Sequence, residues 1–326
     1  MPRRLLFLGY GLDGASWRFR VAQYLPHLRA RGIEVQTADL HGPLRQRLRA
    51  LRAAADCDAV CVHRALLSPI ERRWLRRVAP HYVFDFDDAI MLRDSTAPRF
   101  DSWQRRRRFA GMVRGAGTVV AGNAYLADWA RRYRADVTII PTAVDLAEHP
   151  AHPHDNGAPI IGWIGTASNL MYLRAIVPAL TRLCSQRPEV RIKVVSDGVF
   201  AAPGLPLLAT PWSRRDEAAD LHSFRVGIMP LPDDPWTRGK CAVKILQYFA
   251  AGVPVVCSPV GVNVDVVEDG RSGYFAGGLD EWVARLDQLL ADAALRRRFA
   301  EHGRALVERR FSVDVVLTQL LGALGQ

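Results

Sequence analysis

Lysine is scarce in this 326-residue chain: of 44 basic residues, 41 are arginine and three are lysine. An ammonium group offers phosphate a compact point charge, whereas a guanidinium offers a planar fork, so the few lysine positions are informative. Cysteine is also sparse. Cys57, Cys61, Cys184, Cys241 and Cys257 are odd in number and scattered, which argues against a disulfide framework and fits a reducing cytoplasm. Cys57 and Cys61 lack a second ligand pair at zinc spacing, so no metal is expected. No apolar run approaches the ~20 residues that span a bilayer. The start, MPRRLLFLGYG, is too short for a signal-peptide core and reads as a first buried strand.

With 49% hydrophobic and 24% charged residues, the chain has enough apolar material for real cores, and its length suggests two domains. The net charge of +11 is uneven: residues 1–150 hold 25 basic and 15 acidic residues, residues 151–326 hold 19 and 18. A basic half beside a neutral half points to an anionic partner, with an anionic membrane surface or a lipid-phosphate acceptor ahead of nucleic acid. Arg105–Arg108, between Trp103 and Phe109, is the sharpest patch. It suits a membrane surface and equally a solvated helix face. The expected location is therefore cytoplasmic, at the inner face of the membrane. Nothing resembles a zinc finger or an RNP motif, so no nucleic acid is expected.

Strand-like and helix-like segments alternate. Strands are expected at Arg4–Leu8, Glu34–Ala38, Ala59–His63, Tyr82–Phe86, Thr118–Ala121 and Val137–Ile140, with helices over Trp17–Arg31, Leu44–Ala55, Ile70–Val78 and Leu126–Tyr133. After the proline-rich stretch Pro141–Pro159 the pattern restarts. Strands are expected at Ile160–Ile164, Arg191–Val195, Val226–Met229 and Val253–Cys257, helices over Leu170–Gln186 and Ala242–Ala251, and helices again from Leu279 onward. Such alternation predicts an α/β fold with two Rossmann-like, doubly wound domains facing across a cleft lined by the carboxyl ends of the strands. The expected domains are 1–146 for an acceptor, a linker at 147–158, and 159–305 for a donor. Residues 306–326 are expected to form a helix packing back on the first domain.

Two of the three lysines, Lys240 and Lys244, stand four apart in RGKCAVKILQYFAAGVPVV, where a helix begins. A helix N-terminus favours anions, so the segment reads as a phosphate site. Gly165 and Thr166 follow a buried strand and precede a helix, which brings their amides within reach of the same kind of group. Gln247, one turn beyond Lys244, is placed to bind ribose hydroxyls, with an exposed polar residue as the plain alternative.

The run ILQYFAAGVPVVCSPVGVNVDVVEDGRSGYF resembles the donor region of family-4 glycosyltransferases of the GT-B fold, through Ala250, Gly252, Pro254–Val256, Ser258, Asp269, Gly270 and Gly273. PIIGWIGTASNLMYL and VVAGNAYLADWARRY…VTIIPTAVD resemble, in order, two further segments of that family. The resemblance implies a retaining glycosyltransferase that moves a sugar from a nucleoside diphosphate to a hydroxyl of a glycan or lipid-linked acceptor, with the nucleotide sugar as donor and no cofactor or metal. Together with the phosphate and ribose placements above, this reading expects donor binding at Gly165, Thr166, Arg238, Lys240, Lys244, Gln247, Ser258, Val260 and Gly261. The chain departs from the family where two glutamates usually stand, having Gly239 and Gln247, and it lacks the usual Arg…Lys pair after the glycine turn. Arg238, Lys240 and Lys244 are expected to replace that charge.

In the first half, Gly9, Gly11 and Gly14 form GYGLDG between a strand and a helix, with Asp39 ending the next strand. That is the context of a dinucleotide fingerprint, so an NAD-dependent enzyme is one rival reading; a non-catalytic nucleotide-sugar-binding subunit is the other. In the transferase reading, Gly11, Gly14, Arg18 and Arg20 serve the acceptor. Asp87, Asp88 and His63, at the carboxyl ends of strands, are the catalytic candidates. Asp85 reads as strand-end hydrogen bonding.

Overall fold

A computed structural model of the protein describes residues 4–151 and 158–325. The chain divides into two compact units: Met1–Ala143, Asp234–Cys241 and Val313–Gln326 make the first, and Val144–Asp233 with Ala242–Ser312 the second.

The first unit runs β1 (Arg4–Gly9), α1 (Ala15–Arg20), α2 (Leu25–Ala30), β2 (Glu34–Asp39), α3 (Leu44–Arg52), β3 (Ala59–His63), α4 (Pro69–Val78), β4 (Val83–Phe86), α5 (Trp103–Gly115), β5 (Thr118–Ala121), α6 (Ala124–Arg131) and β6 (Thr138–Ile139). Its six strands pair in parallel in the order β2-β1-β3-β4-β5-β6. Along β1, Leu6 and Leu8 enter the core under α3–α6, while Leu5 and Phe7 enter the core under α1 and α2. That alternation is what a parallel sheet covered on both faces requires. Each such fully buried side chain contributes about 1.5–3 kcal/mol.

The second unit runs β7 (Ile160–Ile164), α7 (Leu170–Arg174), α8 (Val177–Gln186), β8 (Arg191–Ser196), β9 (Leu207–Pro211), α9 (Glu217–His222), β10 (Val226–Met229), α10 (Val243–Ala251), β11 (Val255–Cys257), α11 (Asn263–Val266), β12 (Gly273–Phe275), α12 (Leu279–Ala291) and α13 (Ala293–Arg310). Its parallel order is β12-β11-β10-β7-β8-β9. The last helix, α14 (Val313–Leu324), puts Val316, Leu317 and Leu320 into the first unit's core beside Leu5 and Phe7.

Several boundaries differ from the sequence expectation. The helix expected over Trp17–Arg31 breaks into α1, a 3₁₀ turn at Ala22–Tyr24 and α2. Pro26, in the first turn of α2, has no amide to continue a helix from upstream. Pro178 divides the helix expected over Leu170–Gln186 into α7 and α8 in the same way. The stretch expected as a linker from 147 begins inside the second unit, because His149 is buried there. Residues 152–157 of the expected linker lie outside the described residues. All five cysteines are free, and among the described residues no helix is long and apolar enough to cross a membrane.

Candidate functional site

In open parallel sheets ligands bind beyond the carboxyl ends of the strands, where the chain leaves neighbouring strands in opposite directions. In the first unit that point lies between β1 and β3. The loop after β1 turns at Gly11 (φ +64), and the Gly14 amide donates to Gly11 O at 2.9 Å before α1 begins. Ser16, in the first turn of α1, reaches across to His63 at the end of β3: its Oγ lies 2.9 Å from Nε2. The same hydroxyl lies 2.7 Å from both carboxylate oxygens of Asp87, just beyond β4. His63 Nδ1 lies 2.7 Å from Asp85 Oδ2, and Asp85 is ion-paired with Arg20. Arg64, held left-handed at φ 56, reaches Asp87 at 3.6 Å and Asp88 at 3.0 Å. One polar chain therefore runs Arg20–Asp85–His63–Ser16–Asp87–Arg64–Asp88.

Burial alone pushes the Asp85 carboxyl up, but the Arg20 guanidinium and then the His63 contacts outweigh it and hold Asp85 at about 2. Arg20 is the corresponding correction. Expected to hold acceptor phosphate, it is buried and committed to Asp85 and to Ile140 O at 2.8 Å. Arg18 stacks its guanidinium over Phe19, 4.8 Å from the ring centre. The dinucleotide fingerprint also looks different in three dimensions. The Gly11 amide donates to His41 Nδ1 at 3.1 Å, and the start of α1 already faces the Asp87 carboxylate through Ser16, where a pyrophosphate would be repelled.

Arg238 and Lys240 are carried by the segment Asp234–Cys241, which belongs to the first unit. Asp234 Oδ1 accepts the amides of Trp236 and Thr237 at 2.9 and 2.8 Å, which starts a 3₁₀ turn at Thr237–Gly239. Asn123, the N-cap of α6, holds this turn through Lys240 O at 3.1 Å. Cys241 Sγ donates to Asp87 O at 3.2 Å. Burial, and then the neighbouring Asp87, push the Cys241 thiol well up, so it stays protonated and serves as a donor. Gly239, where the family has a glutamate, has no room for a side chain: a Cβ would stand 2.8 Å from Ala89 Cβ.

In the second unit the corresponding point lies between β7 and β10. Gly165 directly follows β7, and Lys244 lies in the first turn of α10. A Cβ on Gly165 would stand 2.5 Å from Lys244 Cε, so the lysine stem crosses directly over the glycine. Its Nζ sits 5.4 Å from the Trp163 ring centre. The N-cap of α10 is Ala242, left-handed at φ 53, and no side chain caps the helix, which leaves the positive end of a nine-residue helix beside an ammonium group.

The turn after β7 departs from expectation. Gly165 donates its amide to Val195 O at 3.0 Å, within the sheet, and is not available to a phosphate. The Ala167 amide donates to Asp197 Oδ1 at 2.6 Å, and Thr166 Oγ1 accepts from Asn169 Nδ2 at 2.7 Å. Gln247 is buried rather than exposed, with Nε2 3.4 Å from His149 Nε2. His149 in turn lies 3.2 Å from Glu217 Oε1. Ser258 is buried and accepts the Leu231 amide at 3.0 Å. Val260 is buried beside it, and Gly261 takes φ +54 to complete the turn after β11. Among the described residues, no group of three or more histidines, cysteines or acids is placed to hold a metal.

Residues 158–292 match the family described as glycosyl transferases group 1. A D-inositol 3-phosphate glycosyltransferase from Stackebrandtia nassauensis is 30% identical over 228 residues, 59% of this chain and 50% of that protein. This chain therefore spans about half the length of that curated relative. Among solved structures, Anabaena HepE in complex with UDP and glucose superposes with a TM-score of 0.78, at 16% identity, over 100% of both chains. Sucrose-phosphate synthase from Thermosynechococcus elongatus superposes with a TM-score of 0.75, at 15% identity, over 98% of both chains. The likenesses to solved structures show the fold, the two-domain α/β architecture of GT-B glycosyltransferases, and the match over residues 158–292 agrees with the resemblance read from that part of the sequence.

Proposed function

We propose that the chain is a glycosyltransferase that moves a sugar, with retention, from a nucleoside diphosphate to a hydroxyl of a glycan or lipid-linked acceptor. The observation that carries this reading is the placement of Lys244. It stands in the uncapped first turn of α10, over Gly165 just after β7, inside the region that matches the glycosyltransferase family. As the bond between the sugar and the diphosphate breaks, negative charge grows on the departing phosphate. Lys244 and the first amides of α10 stabilise that charge. The Anabaena structure with UDP and glucose makes UDP the first nucleotide to test. The donor is a substrate, and no further cofactor enters this reading.

On the acceptor side, Asp87 takes the hydroxyl proton as the new glycosidic bond forms. Ser16 connects Asp87 to His63, so the proton has a path: the Ser16 hydroxyl gives its own proton to His63 Nε2 and receives one from Asp87. Asp85, neutralised by Arg20, holds the His63 ring through Nδ1, and Arg64 orients Asp87 and Asp88. Gly11, Gly14 and Arg18 shape the approach to this cluster.

The test is nucleotide release from a panel of UDP-, GDP- and dTDP-sugars in the presence of candidate hydroxyl acceptors. Asp87→Asn is expected to lower turnover by roughly 10²–10⁴ with donor affinity unchanged. Nucleotide-sugar binding with no turnover on any acceptor would assign the chain as a non-catalytic subunit.

A further inference from the structure

The helices α3, α4 and α5 form one layer of the first unit. Each follows a parallel strand and precedes the next, so all three run in one direction and begin at the same edge of the sheet. α3 packs on α4, and α4 on α5. Thirteen arginines lie on them, four on α3, four on α4 and five on α5. The one acid among them, Glu71, is buried and ion-paired with Arg47. Arg45, Arg49, Arg73, Arg105 and Arg107 are exposed. Arg72 is held below the ordinary arginine value, by burial and then by the crowding of Arg107 and Arg108. An anion at this face would relieve that repulsion.

The edge where these helices begin is apolar at its tips. Leu44, Ile70 and Trp103 occupy the first or second position of α3, α4 and α5, and they are 43%, 63% and 65% exposed. Among the described residues of the first unit, they are three of the four exposed large apolar ones, the fourth being Ile139 on β6. One apolar tip on a surface is ordinary; three at the starts of three adjacent parallel helices, above a field of arginine, form a pattern.

We propose that this edge of α3–α5 docks on an anionic phospholipid bilayer, with Leu44, Ile70 and Trp103 entering the interface and the arginines pairing with lipid phosphates. Charge alone would serve any polyanion. The aliphatic tips decide between occupants: Leu44 and Ile70 gain nothing from a phosphate backbone or an acidic polysaccharide, whereas the acyl boundary of a bilayer takes them up. Tryptophan is favoured at that same depth. The face belongs to the first unit and the Lys244–Gly165 cluster to the second, and vesicle binding is read without any donor chemistry.

The experiment is co-sedimentation of the full chain with vesicles of phosphatidylcholine, with and without phosphatidylglycerol, at low and high salt. Binding is expected only to the anionic vesicles and is expected to weaken as salt rises. The double variant Ile70→Ser/Trp103→Ser changes exposed positions and is expected to keep the wild-type melting temperature and nucleoside diphosphate affinity, while partitioning at least about tenfold less. Arg73→Glu/Arg107→Glu is expected to abolish the preference for anionic lipid. Absence of binding to anionic vesicles at low salt would overturn the proposal, as would equal binding to pure phosphatidylcholine or full retention by the double variant. Tighter binding to heparin or single-stranded RNA than to the vesicles, at the same salt, would assign the face to a polyanion and also overturn it.

Discussion

Lys244 lies directly across Gly165: a Cβ on the glycine would stand 2.5 Å from Lys244 Cε and 2.8 Å from Trp163 Cη2. The absence of a side chain just after β7 thus sets where the lysine's charge can be. Gly165→Ala is expected to displace Lys244 without unfolding the unit. Nucleoside diphosphate affinity should fall by roughly tenfold, about the worth of one charge-assisted hydrogen bond. Titration calorimetry reads this directly. Unchanged affinity in a folded Gly165→Ala protein would show that the lysine acts from another position.

The hydroxyl of Ser16 joins Asp87 to His63, which makes it the residue that separates a proton path from a static cluster. Ser16→Ala is expected to lower kcat by at least about tenfold while KM for the donor holds. Ser16→Thr, which keeps the hydroxyl, is expected to restore most of the loss. A purely structural role would lower the melting temperature of both variants together and leave the kcat of correctly folded protein alone.

Asp85 and Arg20 are both buried, and removing either partner leaves an uncompensated charge. Arg20→Ala is expected to cost about 3–5 kcal/mol, measured by urea denaturation. The same pair predicts a pH dependence. The folded Asp85 carboxyl sits at about 2, below the ~3.9 of an unfolded aspartate. Its stabilising contribution is therefore complete above pH ~4 and is lost as pH falls toward ~2. A denaturation series across that window should lose this step in Asp85→Asn. A wild-type protein whose stability is flat there would contradict the assignment.

Gln247 holds His149 in the interior of the second unit, so Gln247→Leu is expected to destabilise the fold by about 1–3 kcal/mol. Chemical denaturation checks it. A variant with wild-type stability but weakened nucleotide binding would return Gln247 to the ribose role.

The alternation of strands and helices was legible in the sequence because parallel strands buried on both faces read as short apolar runs. Ala59–His63 and Ile160–Ile164 were expected and found with the same bounds. The edge strand β9 was not foreseen: no residue of Leu207–Pro211 is fully buried, and a half-exposed LLATP carries no clear run. Helix breaks at Pro26 and Pro178 were written in the chain but masked by continuous apolar spacing. Of the candidate site, His63, Asp87 and Asp88 were recognisable as polar residues at strand ends. Ser16 was not: a serine in a helix's first turn has no signal of its own, and only the β1–β3 adjacency brings it to His63. The assignment of Lys240 and Lys244 to different units was not legible either. Four residues apart in sequence, they divide between the two units at Cys241 and Ala242, where the backbone turns left-handed at an alanine.

Everything proposed for the donor depends on one site, the diphosphate site proposed at Lys244 and the start of α10. It is tested most directly by calorimetric titration of UDP, GDP, dTDP and NAD into the wild-type chain and Lys244→Ala. Saturable binding of one nucleoside diphosphate is expected, absent for NAD, and weakened by roughly ten- to hundredfold in a variant that keeps its melting temperature. Binding of NAD alone, or of a nucleoside diphosphate with equal affinity in Lys244→Ala, would contradict it.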